Sequence, residues 1–393
     1  MQAIPTFKTE SDLPLHRLFV AFLKLGFTAF GGPAMVTYIG RMVVVEKKWI
    51  DQESFQDGVA LCQVIPGATA MQTAAYAGLK VRGVRGAFAC YIGFGLPAFV
   101  LMLALSFAYS RAHSLPAVVS LFSGLQAVIV AVVAKATLTF GRTTLRNLKS
   151  AAIALVATIL FALMTNPALI VLLAALLGMV SNSKDLPAAR NARHFEAIRH
   201  TTIPLLFLLI ASAASFATLF FVQRPLFELA LLMSRIDIMA FGGGFASVPL
   251  MFHEIVEVRS WMNAAAFLDG IVLGQFTPGP IVITATFVGY MVHGPLGGVI
   301  STIAIFLPSF LILIGVAPWF DRLRASARFN KAIGGILSSF VGLLLTVTIR
   351  FATQVHWDLP HISLATAAFV ALFFELDILW VVLAGAAISA FAL

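Results

Sequence analysis

Charge is what this sequence has least of. Asp, Glu, Lys and Arg together make up 11% of it, against 60% hydrophobic residues, whereas a water-soluble domain carries about 25% charged residues. A soluble globular fold is thereby excluded. Cysteine is nearly missing: Cys62 and Cys90 both sit in apolar segments, so neither a disulfide framework nor a zinc site is expected. The long apolar runs do not alternate with period two, which excludes a transmembrane barrel. The polar first 14 residues lack a short apolar core followed by a small-residue cleavage site, so no removable signal peptide is expected. H-E-x-x-H, G-x-S-x-G and paired carboxylates at one break are all missing. An intramembrane enzyme, a bound metal or a cofactor therefore has no motif to support it.

What is present is apolar length. Runs of about 20 residues, enough to cross a bilayer, occur at 87–109, 117–140, 202–222, 295–318 and 332–350. The expected fold is an all-α polytopic membrane protein. Its formal charge of +9 points to basic cytoplasmic loops rather than to nucleic acid.

The second strong signal is internal repetition. With a shift of 211 or 212 residues, Phe30-Gly31-Gly32 falls on Phe241-Gly242-Gly243 and Trp49 on Trp261. Asp57-Gly58 falls on Asp269-Gly270, Gln63 on Gln275, and Pro66-Gly67 on Pro278-Gly279. Apolar composition alone would not align Trp, Asp, Gln, Pro and Gly in one order. Each unit starts with two interrupted segments, 15–46 and 53–80 in the first, 226–255 and 263–291 in the second. These read as broken, re-entrant helical hairpins, each followed in its unit by four spans. The predicted organisation is a first repeat over 1–182, a polar linker and connecting helix over 183–225, and a second repeat over 226–393. The lone span 202–222 inverts the second unit relative to the first, as in many secondary transporters. Basic residues collect on alternate loops: Lys80/Arg82/Arg85, Arg142/Arg146/Lys149, Lys184/Arg190/Arg193/Arg199 and Arg322/Arg324/Arg328/Lys331. The positive-inside rule then places these loops and the N-terminus in the cytoplasm, in a multi-pass plasma-membrane protein.

A broken helix in lipid leaves backbone groups that cost several kcal/mol each unless protein, water or ligand satisfies them. Four matched breaks are expected to face one another. The half-helix after each break begins with free N–H groups at the positive end of its dipole, an anion-binding feature. The predicted binding set is Phe30, Gly31, Gly32, Pro66, Gly67, Phe241, Gly242, Gly243, Pro278 and Gly279. Gln63 and Gln275, one turn before their prolines, either donate to a bound oxyanion or satisfy the carbonyls freed by their own kinks. Thr69, Thr277 and Thr284 either donate to the anion or bond their own helix backbone. Lys24 and Arg235, at matched positions before Phe-Gly-Gly, and Arg41 are the candidate electrostatic partners, with snorkelling to the interface as the alternative. Glu254 and Glu257 are candidate coupling carboxylates. Asp57 and Asp269 fit first-turn positions at helix N-termini.

These segments resemble the chromate ion transporter family of bacteria in its long, two-domain form. The resemblance is carried by "FTAFGGPA", "KKWIDQESFQDGVALCQVIPG" and "GFGLPAF" in the first half. In the second half it is carried by "MAFGGGFASVPLM", "WMNAAAFLDGIVLGQFTPGPIVITATFVGY" and "FLPSF". It implies an inner-membrane exporter of chromate, with sulfate as a related oxyanion. In two places the chain departs from the family pattern: Ala68 stands where the first break usually reads Pro-Gly-Pro, and Val43 where an acidic residue is usual. The expected mechanism is alternating access at a midplane site. An oxyanion channel or an uptake carrier of the same architecture is the rival, and a homodimer is one assembly the architecture admits.

Overall fold

The computed structural model describes residues 13–30, 34–180 and 202–392, and its regular elements are all helical. Gly31, Gly32 and the linker 183–200 lie outside the described residues. Helix α1 (Leu15–Thr28) stops at Ala29-Phe30, and α2 (Ala34–Gly40) runs into a π-helical turn, Arg41–Glu46. Helix α3 (Gln52–Val64) is started by Asp51, whose carboxylate accepts the Ser54 N–H at 2.8 Å, the usual N-cap arrangement. After the break at Ile65–Ala68, α4 (Thr69–Ala112) turns back on itself at Arg82-Gly83, where Gly83 takes φ +60°. Helices α5 (Pro116–Thr144), α6 (Leu148–Ala162), α7 (Pro167–Val180) and α8 (Thr202–Val222) follow.

The second half repeats the series. Helix α9 (Arg224–Met239) stops before Phe241, and α10 (Gly244–Phe252) runs into a second π-helical turn, His253–Val258. Asn263 caps α11 (Ala264–Phe276) as Asp51 caps α3. A short 3-10 turn, Ile281–Ile283, leads into α12 (Thr284–Val316), which reverses at Gly294 with φ +66°. Helices α13 (Phe320–Ala325), α14 (Ala327–Gln354), α15 (Leu359–Phe373) and α16 (Ile378–Ala392) complete the chain. The correspondence extends to rare backbone angles. Lys48 and Ser260 share φ +52°, and Met164 and Glu375 take +59° and +63°. Non-glycine residues seldom sit there, so such pairing marks two closely similar chain paths.

Five described helices are long and apolar enough to cross a bilayer: α4, α5, α8, α14, and α12 with its flanking 3-10 turns. The halves interlock. Helix α5 packs against α15 and α16 of the second half, and α14 against α6 and α7 of the first. Small residues permit these approaches: a side chain at Gly178 or Gly335 would collide with the facing backbone of α14 or α7. Helix α8 buries no residue and presents its apolar surface outward, as a lipid-facing helix does. Lys135, inside α5, has its ammonium 5.0 Å from the centre of the Phe373 ring, a cation–π contact that gives an intramembrane charge a partner.

Candidate functional site

The four breaks meet, and they do so reciprocally. The Gly67 N–H donates to the Ala240 carbonyl at 2.9 Å, and the matched Gly279 N–H donates to the Ala29 carbonyl at 3.0 Å. Each Pro-Gly break of one half thus ties off a helix end of the other, satisfying polar groups that lipid would leave bare. Gly67 and Gly279 take φ +114° and +110°, a conformation that L side chains resist. A Cβ at Gly67 would also collide with Ser309, and one at Gly279 would lie 2.9 Å from the Ala98 methyl.

A cavity of about 940 Å³ opens at this junction. Of the sequence-predicted residues it gathers Phe30, Gln63, Thr69, Gly242, Gly243, Gln275, Thr277 and Gly279. The starts of α4, α10 and the Ile281–Ile283 turn all face it, and the first N–H groups of a helix have no partner within the helix. Gln275 lines the cavity, and its amide nitrogen is buried and makes no hydrogen bond, so it does not tie off the carbonyls freed at its own kink. An unpaired buried donor costs about 1–3 kcal/mol. Gln63 is exposed at the same cavity. Of the threonines, two bond nearby backbone and Thr69 reaches back to a carbonyl of α3. Thr277 gives its hydroxyl proton to the Gly274 carbonyl and Thr284 to that of Ile281, both at 2.8 Å, while Thr69 reaches the Cys62 carbonyl at 3.5 Å.

Other predicted residues lie elsewhere. Pro66, Gly67, Phe241 and Pro278 form the break behind the lining, and Thr284 is fully buried. Lys24 is exposed on α1 and is not in the lining of this cavity. Arg41 lines a neighbouring recess of about 490 Å³ and pairs with Glu46 at 3.2 Å. Arg235 is turned to Asn166 at 3.2 Å and Glu254 at 3.7 Å. The cavity's cations are instead Arg146, Lys149 and Lys331. In the sequence these three residues belong to basic loops, and each lies within a few residues of a helix start that borders the cavity.

Around the second π-helical turn the acidic residues are held in ion pairs. Glu254 is shared by Arg235 and Arg259, each at 3.7 Å, and Glu257 by Arg350 and by His253 at 2.8 Å. Arg350 also donates to the Phe161 carbonyl at 2.9 Å, joining α14 to α6. Beneath these pairs Phe252 packs edge-on against Phe267 and Phe351, with ring centres 5.5 and 4.9 Å apart. Asp57 and Asp269, expected as first-turn charges, lie beyond the first turns of α3 and α11 and serve instead as links between the halves. Asp57 pairs with Arg324 at 3.0 Å, and Asp269 accepts from Tyr109 at 2.7 Å and Gln126 at 2.8 Å, so each bonds across to the other half.

Comparison with known proteins bears on the family and on the two-part organisation of the chain. No solved structure matches this chain. An uncharacterized transporter of Methanocaldococcus jannaschii is 42% identical to it over 93% of this chain and 91% of its own length. A chromate transport protein of Pseudomonas aeruginosa is 30% identical over 90% of this chain and 85% of its own. The chromate transport protein of Cupriavidus metallidurans is 29% identical over 94% and 91% respectively. The chromate transporter family matches twice, at residues 16–179 and 227–390. With these two matches spanning both interlocked halves, the chain belongs to the chromate transporter family.

Proposed function

We propose that this chain exports chromate-type oxyanions, sulfate among them, across the bacterial inner membrane by alternating access between two inverted repeats. The carrying observation is a cavity bordered by the starts of α4 and α10 and by the turn that leads into α12, with Gln275 in its lining. Helix starts offer N–H donors and positive dipole ends, and no Asp or Glu among the described residues lines the cavity, which suits an oxyanion. Arg146, Lys149 and Lys331 at the same cavity draw anions in from the side bearing the basic loops, which the positive-inside rule assigns to the cytoplasm. On this reading the conformation is open to the cytoplasm and closed outside. An interior-negative potential favours outward movement of each negative charge by about 2.3 kcal/mol per 100 mV, so a dianion leaves without needing a driving ion.

Proteoliposomes given chromate, sulfate, molybdate or phosphate, with and without an imposed potential, test this. Saturable, potential-driven flux with counterflow of chromate and sulfate is expected. Large currents without counterflow would instead identify a channel, and Gln275→Leu flux equal to wild type would remove Gln275 from the site.

A further inference from the structure

Asp237 is fully buried in the last turn of α9, three residues before the Ala240 whose carbonyl is tied to Gly67. One of its oxygens accepts the Ser309 N–H at 2.7 Å, and the other has no partner. Among the described residues it forms no ion pair. The ionisable group facing it is Tyr91 on α4, whose hydroxyl donates to the Phe306 carbonyl of α12 at 2.7 Å. Arg235, two residues away on α9, is engaged with Asn166 and Glu254, and the adjoining π-helical residues His253 and Glu257 pair with each other. Helix α8, also packed on α9, contains no ionisable residue.

Packing does not demand a carboxyl here. The matched residue of the first half is Gly26, and the residue matched to Ser309 is Ala98, so the matched helices of the first half pack without one, and closely: a Cβ at Gly26 would meet the Phe94 carbonyl oxygen at 2.5 Å. The carbonyl that Pro308 leaves free, that of Ala304, is taken by Ser234 at 3.1 Å and not by Asp237. A second buried acceptor close by is also unpaired. The Gln72 amide donates to the Pro66 carbonyl at 2.6 Å, its nitrogen lies beside Gly67 as Ser309 does, and its oxygen has no donor. Behind Gly67, then, stand two residues, Ser309 and Gln72; the unpaired oxygens belong to Gln72 itself and to Asp237, which holds the Ser309 N–H, and what both lack is a donor. An ionised carboxyl without a cation is costly in such a place, and a proton is the smallest ligand that removes the charge.

We infer that Asp237 is a proton-carrying site. Its carboxyl holds an exchangeable proton while Gly67 is bonded to Ala240, and releases it when that junction opens to water. The inference rests on the transport reading above and adds the co-transported ion to it. An ionised Asp237 and a dianion held in the cavity repel each other through the low-dielectric junction between them, so proton and oxyanion favour each other's binding and travel in the same direction.

The test uses the full chain in proteoliposomes, with chromate as the transported ion, together with infrared difference spectra of the purified protein. With one proton per anion, a pH gradient of one unit shifts the steady-state chromate ratio about tenfold. Asp237→Asn, which keeps an acceptor for Ser309 and mimics the protonated acid, is expected to move chromate indifferently to the gradient. Asp237→Gly, copying Gly26, is expected to do the same and guards against misfolding of the first variant. The wild-type spectrum is expected to hold a protonated-carboxyl C=O band that Asp237→Asn lacks. Wild-type flux indifferent to pH, a gradient response kept by both variants, dependence on sodium at fixed pH, or no such band would each overturn the inference. If no form moves chromate, the transport reading fails, and the infrared band alone then decides whether Asp237 holds a proton.

Discussion

The two π-helical turns occupy matched places in the chain and sit in opposite circumstances. Around Arg41–Glu46 the molecule is open: Arg41 is exposed, and Phe140, matched to Phe351, lines the cavity. Around His253–Val258 it is closed: Phe252, Phe267 and Phe351 are buried against one another beneath the ion pairs of Glu254 and Glu257. The difference lies in side chains rather than in the backbone. Phe252 stands where the first half has Arg41, and Glu254 where it has Val43. A near-symmetric chain path can thus hold an asymmetric state, because aromatic burial and paired charges favour closure on one side only.

The largest effect is expected at the shared junction that both sides depend on. Gly67→Ala adds a strained angle, costing about 1–2 kcal/mol, and a collision with Ser309. Chromate flux should fall more than about tenfold, and further than for Gly279→Ala, whose neighbour is a single methyl. Equal flux in the two variants would show that the junctions are interchangeable.

Next comes the aromatic seal. Phe252→Ala should lower stability by about 3–5 kcal/mol, read as a drop in the thermal midpoint in detergent. It should also expose the closed side. A cysteine placed at the fully buried Ser247 should react with a membrane-impermeant thiol reagent in Phe252→Ala and stay protected without it. Glu257→Gln removes one partner of Arg350 and His253 and should give the same labelling to a smaller degree. Unchanged protection in both variants would remove the closed side from any gating role.

On the open side the expected effects are smaller. Lys331→Gln or Arg146→Gln should raise the half-saturating chromate concentration a few-fold and leave the maximal rate intact. The difference from wild type should shrink at high salt, because solvent-facing charges are screened within about 10 Å at 0.1 M. The smallest effect concerns matched helix caps. Asn147 caps α6 through Ser150, and Asp358 caps α15 through the His361 N–H at 2.9 Å. That hydrogen bond holds the Asp358 carboxyl below its ordinary value. A depressed carboxylate contributes stability above its unfolded pKa and loses it as pH falls through the folded value. Wild type should therefore lose slightly more stability in acid than Asp358→Asn does, as read by thermal melts across that range.

Helices, breaks and repeat were legible in the sequence because each rests on local chemistry. Apolar runs are long enough for a bilayer, Gly and Pro cannot continue a helix smoothly, and duplicated Trp, Asp and Gln keep their order. The candidate cations were only half legible. Lys24, Arg41 and Arg235 are near the breaks in sequence, yet the helices carry their side chains to the surface or into ion pairs. Arg146, Lys149 and Lys331 are far from the breaks in sequence and close to them in space. Asp237 gave no sequence signal beyond replacing a glycine of the other half.

Sequence by itself determined that this protein is a duplicated helical membrane protein with four interrupted helices, because helix length and helix breaking are properties of short segments. Tertiary structure decided which groups meet: Gly67 with Ala240, Gly279 with Ala29, Asp237 with Ser309, and which side stands open. Those depend on how helices from opposite halves cross, and a crossing is fixed by packing between residues hundreds of positions apart.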